Sequence, residues 1–158
     1  MPDRTGSTIT LQIVELGVHG VADLLRELAP DTCALVWERL PVEGRLIHGM
    51  YSGPELFIEL DTFQPVRAEN QVHRAIPGDI CYWHDAGDRF ATIPAPAGEL
   101  LFIYGRGAAI MGADGQPTWA NLFARLRTDS CGDLLAAARR TRREGPWTLR
   151  VDRGDDPG

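Results

Sequence analysis

Residues 29–60 begin Ala29-Pro-Asp-Thr-Cys33-Ala-Leu-Val36-Trp37-Glu-Arg-Leu40-Pro41 and end Gly44-Arg-Leu-Ile-His48-Gly-Met50, Tyr51-Ser-Gly-Pro54, Glu55-Leu-Phe-Ile-Glu-Leu60. Pro30 suits a first helical position, where φ is already set and the missing N–H is not needed. Cys33, Val36, Trp37 and Leu40 share one face of a helix that Pro41 stops. Gly44–Met50 and Glu55–Leu60 then read as two strands of a hairpin turned at Tyr51-Ser-Gly-Pro54. A helix laid over strands in this way implies a closed or strongly curved sheet with a helical plug.

Working outward, Thr8-Ile-Thr-Leu-Gln-Ile-Val14 alternates as a half-buried strand does, and His19–Glu27 is read as its partner after a turn at Leu16-Gly17. Asp61–Pro77 is polar and irregular. Asp79-Ile-Cys-Tyr-Trp83 is a short buried strand ended by Asp85-Ala-Gly-Asp88. Pro94-Ala-Pro-Ala-Gly98 is a stiff connector into the strand Glu99-Leu-Leu-Phe-Ile-Tyr104. Gly105–Pro117 is a loop and Ala120–Leu126 a further strand. Ser130 is read as the N-cap of a second helix with the stripe Cys131, Leu134, Leu135 and Ala138, stopped by Gly145-Pro146. Its arginines 139, 140, 142 and 143 suit the negative end of the helix dipole as a solvated terminus; the alternative is a phosphate or nucleic-acid patch. Trp147–Val151 is expected to add an edge strand. One domain over residues 1–151 and a frayed tail over 152–158 follow.

With 158 residues, 44% hydrophobic and 24% charged, the chain can bury a core without staples. A net charge of -6 argues against nucleic acid and against anionic membrane surfaces. All 16 positive charges are arginine, which removes Schiff-base chemistry, the P-loop and a lysine base together. Cys33, Cys81 and Cys131 are odd in number and widely spaced. They suggest neither a disulfide framework nor zinc, and a reducing cytoplasmic setting is expected. No opening signal peptide and no apolar run of spanning length is read. Four histidines without metal-ligand spacing, and no G-x-S-x-G, leave no metal, no cofactor and no serine triad expected.

Several segments resemble cyclophilins in their order. They are Ala29-Pro-Asp-Thr-Cys33, Glu69-Asn70, Pro77-Gly78-Asp79-Ile-Cys-Tyr-Trp-His-Asp-Ala-Gly87 and Leu100-Leu-Phe-Ile103. A family of small bacterial proteins of unassigned function with a cyclophilin-like barrel, domain of unknown function 3830, is similar over nearly the whole chain. The similarity runs through Leu40-Pro-Val-Glu-Gly44, Ile47-His48, Ser52-Gly53, Glu69-Asn70, Pro77-Gly78-Asp79, Tyr104-Gly105, Ala120-Asn121-x-Phe123 and Arg143-Glu-Gly145. The resemblance implies a mainly β fold: a cyclophilin-like closed antiparallel β-barrel with two capping α-helices. His73-Arg74-Ala-Ile-Pro-Gly78 imitates the strand that carries the catalytic arginine of true cyclophilins. That strand should follow the first helix directly, where Arg45-Leu-Ile-His-Gly49 stands instead, so prolyl isomerase activity is not expected.

Six residues carry the candidate chemistry. His48, mid-strand, offers an imidazole base near neutral pH, or is a half-buried structural histidine. Glu69 and Asn70 pair a carboxylate with an amide in a loop, fit to hold a polar ligand or to cap a turn. Tyr82 and Tyr104 end strands, as ligand contacts or core. Asn121 is polar where a strand opens and needs a partner, ligand or backbone. The resulting expectation is a pocket for a small polar or anionic metabolite, with His48 or Glu69 as general base and Asn70, Tyr82, Tyr104 and Asn121 as binding groups. The implied role is that of a hydrolase or an accessory protein of small-molecule catabolism, in a chain that can form a homo-oligomer. The rival readings are a prolyl isomerase with Arg74 facing a groove that contains Phe102, and a non-catalytic module self-associating through Trp147–Val151.

Overall fold

The computed structural model describes residues 7–60, 64–87 and 96–155. The expected connector residues Pro94 and Ala95, the turn residue Asp88 and the last three residues of the tail lie outside that set. In chain order the elements are β1 (Thr8–Ile13), β2 (Val18–Leu24), α1 (Pro30–Arg39), β3 (Val42–Arg45), β4 (Ile47–His48) and β5 (Glu55–Glu59). There follow β6 (Gln71–Val72), β7 (Arg74–Ala75), β8 (Asp79–Asp85), β9 (Ala97–Ile103), β10 (Ala108–Ala109), β11 (Ala120–Leu126), α2 (Gly132–Glu144) and β12 (Thr148–Arg153).

The main sheet runs β3-β12-β1-β2-β11-β8-β9-β5-β4, with β6 added beside β11, and its pairings are antiparallel. Its two ends, β3 and β4, are consecutive pieces of one extended stretch. Residues 42–45 pair with β12 and residues 47–48 with β5, so the chain itself draws the ends together at Leu46. Leu46 is buried, and its N–H donates to the Trp147 carbonyl at 2.8 Å. Gly44 permits the close approach there, because a Cβ would stand 3.1 Å from that of Ile58 on β5. The result is a nearly closed, mainly antiparallel barrel with two helices, as the sequence and the resemblance imply.

Alternation sorts the side chains onto two faces. Ile9, Leu11, Ile13, Leu56, Ile58, Ile80, Tyr82, Leu100, Phe102 and Phe123 fill the inside, and α1 adds Cys33, Val36 and Trp37 while α2 adds Leu134, Ala137 and Ala138. Cys81, Trp83, Leu101 and Leu122 point the other way into a second cluster with Ile110, against which Phe57 packs. β8 is thus covered on both faces, which explains why it reads as an unbroken apolar run.

Three expectations are corrected. Trp147–Val151 is no edge: β12 lies between β3 and β1 with both neighbours paired, which removes the unpaired rim the self-association reading needed. It also runs through Arg153, two residues into the stretch read as tail. Ser130 does not cap α2, which starts at Gly132 after Cys131 without a side-chain cap. Its hydroxyl instead accepts the Val21 N–H at 3.3 Å, tying the approach to α2 onto β2.

Candidate functional site

Nothing in Ala29, the N-cap position of α1, can accept the helix's free N–H groups. Glu69 supplies the missing acceptor from the loop. Its carboxylate accepts the Asp31 N–H at 3.2 Å, the Thr32 N–H at 2.9 Å and the Thr32 hydroxyl at 2.8 Å, and Arg67 donates to it at 3.2 Å. Burial pushes this carboxyl up, but the Thr32 N–H and hydroxyl, the Asp31 N–H and Arg67 outweigh it and hold the carboxyl below its usual value. Asn121 completes the arrangement by donating to the Thr32 hydroxyl oxygen and the Arg67 carbonyl while accepting the Glu69 N–H. Asn70 holds φ +42°, a left-handed position that asparagine tolerates, and donates to the Leu122 carbonyl at 2.9 Å. Tyr82 is buried in the core and donates its hydroxyl to the Gln64 carbonyl. Each of these four residues is thus engaged with the protein's own backbone, the helix end or a neighbouring side chain.

His48 and Tyr104 come together elsewhere. β4 and β11 stand four places apart in the sheet order, about 19 Å measured round the sheet at roughly 4.8 Å per strand. The His48 Nδ1 lies 2.8 Å from the Gly49 carbonyl, which can only accept, so Nδ1 carries the proton. Nε2 then presents its lone pair to the Tyr104 hydroxyl at 2.7 Å. Burial raises the Tyr104 phenol above its ordinary value, and the charge of Arg142 counters it in part.

Beside this pair the outer face of β5, β9 and β8 holds a cavity of about 270 Å³. Phe57 and Leu101, paired across β5 and β9, form its floor; Trp83, Ile110 and Met111 wall it; His48, Met50 and Tyr51 stand at its border. Two carboxyl groups enter this apolar space. Glu55 is 4% exposed and its Oε2 has no hydrogen-bond partner. Burial lifts it to about 7, against the Ser52 hydroxyl that lowers it. Glu99, opposite Glu59 on β5 and Trp83 on β8, is raised to about 8 by burial and by the charges of Glu55 and Glu59. Sequence reasoning missed both. The available signal was a glutamate at the head of each of two apolar strands, repeated across the pair as Glu59 against Glu99.

Other candidates are placed apart from this chemistry. Arg74 is exposed on β7 while Phe102 is sealed in the core, so the groove required of an isomerase does not form. Cys33, Cys81 and Cys131 are free and buried; burial pushes the Cys33 thiol to about 11 and that of Cys81 well up. Among the described residues no group of three or more His, Cys, Asp or Glu could hold a metal ion, and no helix is long and apolar enough to cross a membrane.

A nearly closed barrel with an acid-bearing apolar cavity on its outer face is the class of protein these features define. The family described as "Protein of unknown function (DUF3830)" matches residues 9–152, and the chain belongs to it. No curated protein matches in sequence. Among solved structures, McbB in complex with tryptophan is similar with a TM-score of 0.66 at 18% identity, over 95% of this chain and 46% of that one. The chain therefore spans less than half of McbB's length. The solution structure of the hypothetical protein AF2241 from Archaeoglobus fulgidus aligns with a TM-score of 0.58 at 18% identity, over 98% of this chain and the whole of that one. At these identities the likeness concerns the fold.

Proposed function

We propose that the cavity on the outer face is a binding site for a small organic amine with an apolar or aromatic body, and that Glu55 holds its ammonium group as a carboxylate, giving up its own proton to solvent. One observation carries the reading: Glu55, whose Oε2 is buried without a hydrogen-bond partner, lines a largely apolar cavity. An unpaired polar atom in such a place is costly and calls for a ligand group or an ordered water. A cation within 4–6 Å also lowers a carboxyl pKa by about 1–3 units. Amine binding near neutral pH would then release the proton that Glu55 holds, and affinity would rise as pH approaches about 7. The volume suits one ring system with a short side chain, since an apolar cavity of about 150 Å³ already admits benzene. The tryptophan held by McbB is of this chemical class.

The two carboxyl groups in the cavity move the expected ligand from an anion toward a cation-bearing molecule. A hydrolytic or accessory role in small-molecule catabolism fits through Glu55, a carboxyl able to move a proton near neutral pH, with the His48–Tyr104 pair as a second proton-handling group at the border. We place Glu69, Asn70, Tyr82 and Asn121 with the scaffold on the strength of their partners. The free thiols support the cytoplasmic setting read from the sequence.

Calorimetric titration with tryptamine and with N-acetyltryptamine at pH 6 and pH 8 tests the proposal. Tryptamine should bind at least tenfold more tightly than its neutral amide and release a proton at pH 7, and both features should vanish in Glu55→Gln. Equal affinity for amine and amide would remove Glu55 from recognition.

A further inference from the structure

The arginines at the end of α2 divide into two kinds. Arg140 is paired with Glu144 and lies 5.8 Å over the Trp147 ring, a satisfied surface residue. Arg139, Arg142 and Arg143 line a cleft of about 580 Å³ together with His48, Gly49 and Tyr104, and form no ion pair with a described carboxylate. Three guanidinium groups at one cleft repel one another. They stand in a chain whose net charge is -6, so they are not part of a general basic surface. Neutralising the helix dipole accounts for cations in the last turn, but not for their convergence on the cleft beside the His48–Tyr104 pair. A second observation marks the place: Thr141, 5% exposed, keeps its hydroxyl oxygen without a partner and lines the adjoining hollow with Arg45 and Arg142.

His48, Gly49 and Met50 border both this cleft and the acid-bearing cavity, so the two spaces are neighbours across one short segment. We infer that the Arg139–Arg142–Arg143 cleft is an anion-recognition site, and that it takes the carboxylate of a ligand whose ammonium and apolar body occupy the Glu55 cavity. The ligand class is then a zwitterionic amino acid. Guanidinium groups suit it because their planar forks match carboxylate and phosphate oxygens in paired hydrogen bonds. The carboxylate would approach the Tyr104 hydroxyl from the arginine side. There the charge of Arg142 already acts on the phenol.

The inference rests on the amine reading for its second half, and the test separates the two. Tryptophan, tryptamine and inorganic phosphate are titrated against the wild-type chain and against the exposed-surface variant Arg139→Gln/Arg142→Gln/Arg143→Gln, by calorimetry and by the ring resonances of His48 and Tyr104. The expected result is that tryptophan binds about tenfold or more tightly than tryptamine, and that the triple variant abolishes this advantage with tryptamine affinity unchanged. Phosphate should move the two ring resonances in the wild type alone. If tryptamine binds through Glu55 but the arginine variant leaves tryptophan unaffected, the anion site is refuted and the amine site stands. If phosphate acts through the arginines while neither organic ligand binds, the cleft is an anion site for another ligand, and the zwitterion assignment falls with the amine reading. No response to any of the three overturns the whole inference.

Discussion

Replacing Glu55 with glutamine should flatten the chain's stability against pH, and the size of the effect follows from the cavity. Below pH 4.5 the unfolded and folded chains both carry this side chain as a neutral acid, and its burial is uncharged. Between 4.5 and about 7 the unfolded chain gives up the proton while the folded chain keeps it, so stability falls with rising pH. At about 1.4 kcal/mol per unit the loss amounts to about 3 kcal/mol, complete once the folded carboxyl has ionised. Glu99 extends the fall toward pH 8, and part of its own rise comes from the Glu55 charge, so removing that charge relieves both. Glutamine keeps the shape and has nothing to ionise. Urea unfolding at pH 5 and pH 8 measures the difference, with the other carboxylates common to both proteins. The wild type should lose about 3 kcal/mol more than Glu55→Gln between the two values, equivalent to roughly 6–12 °C in melting temperature for a chain of this size. Equal losses in the two proteins would mean that Glu55 is an ordinary solvated carboxylate, and the case for the cavity as a site would go with it.

Glu69→Ala should cost about 3 kcal/mol, because it strips a buried charged acceptor from two helix N–H groups and the Thr32 hydroxyl. Its pH signature is opposite to that of Glu55. The stabilisation is full above the ordinary carboxyl value of 4.5 and disappears as pH falls through the lowered folded value, so the wild type should lose its advantage over Glu69→Ala in acid. Tryptamine affinity should be unaffected, and a large change would return Glu69 to the site. Gly49→Ala would place a Cβ 2.9 Å from Glu55 Oε1, turning the carboxyl from its position in a space where burial limits escape. Circular dichroism should show the fold retained while titration shows amine affinity reduced at least tenfold; unchanged affinity would contradict the position given to Glu55.

What the sequence made legible was local. Pro30 at the helix start and the stripe Cys33, Val36, Trp37 and Leu40 define α1, and all four stripe residues are buried, Leu40 at the C-cap. The closure of the barrel was not legible. Gly44–Met50 reads as one strand, and no local signal says that residues on either side of Leu46 pair with β12 and with β5 respectively. Nor does a hydroxyl at Ser130 reveal whether its acceptor will face its own helix or the Val21 N–H, more than a hundred residues away in sequence. His48 and Tyr104 were recognised as candidates one at a time, while their contact depends on a pairing through β5 and β9. Asn121 was read as needing a partner, and Glu69 and Asn70 as holding a ligand or capping a turn. A ligand and a helix terminus ask for the same donors and acceptors, and the residues alone do not distinguish them.

Glu55 and Glu99 escaped notice because a glutamate beside a turn or at a strand head belongs, by default, in water. They stand on the outward side of the sheet, Glu55 buried and Glu99 half-buried, while the inside of the barrel is taken up by apolar side chains. Tyr82, Phe102, Phe123 and the aliphatic residues of β1 and β5 fill it to near-zero exposure, as side chains do in small barrels. The cavity beside His48 lies on the outside of the sheet, under a segment folded over it. The stretch carrying Ile110 and Met111 serves as that cover, and it turns the outward halves of β5, β8 and β9 into a second interior. Polar residues placed for solvent on an uncovered sheet become, under the cover, carboxyl groups raised to about 7 at Glu55 and about 8 at Glu99. A relative with the same barrel but a shortened segment between β9 and β11 should therefore retain the fold and lose the cavity together with the raised pKa values of its glutamates.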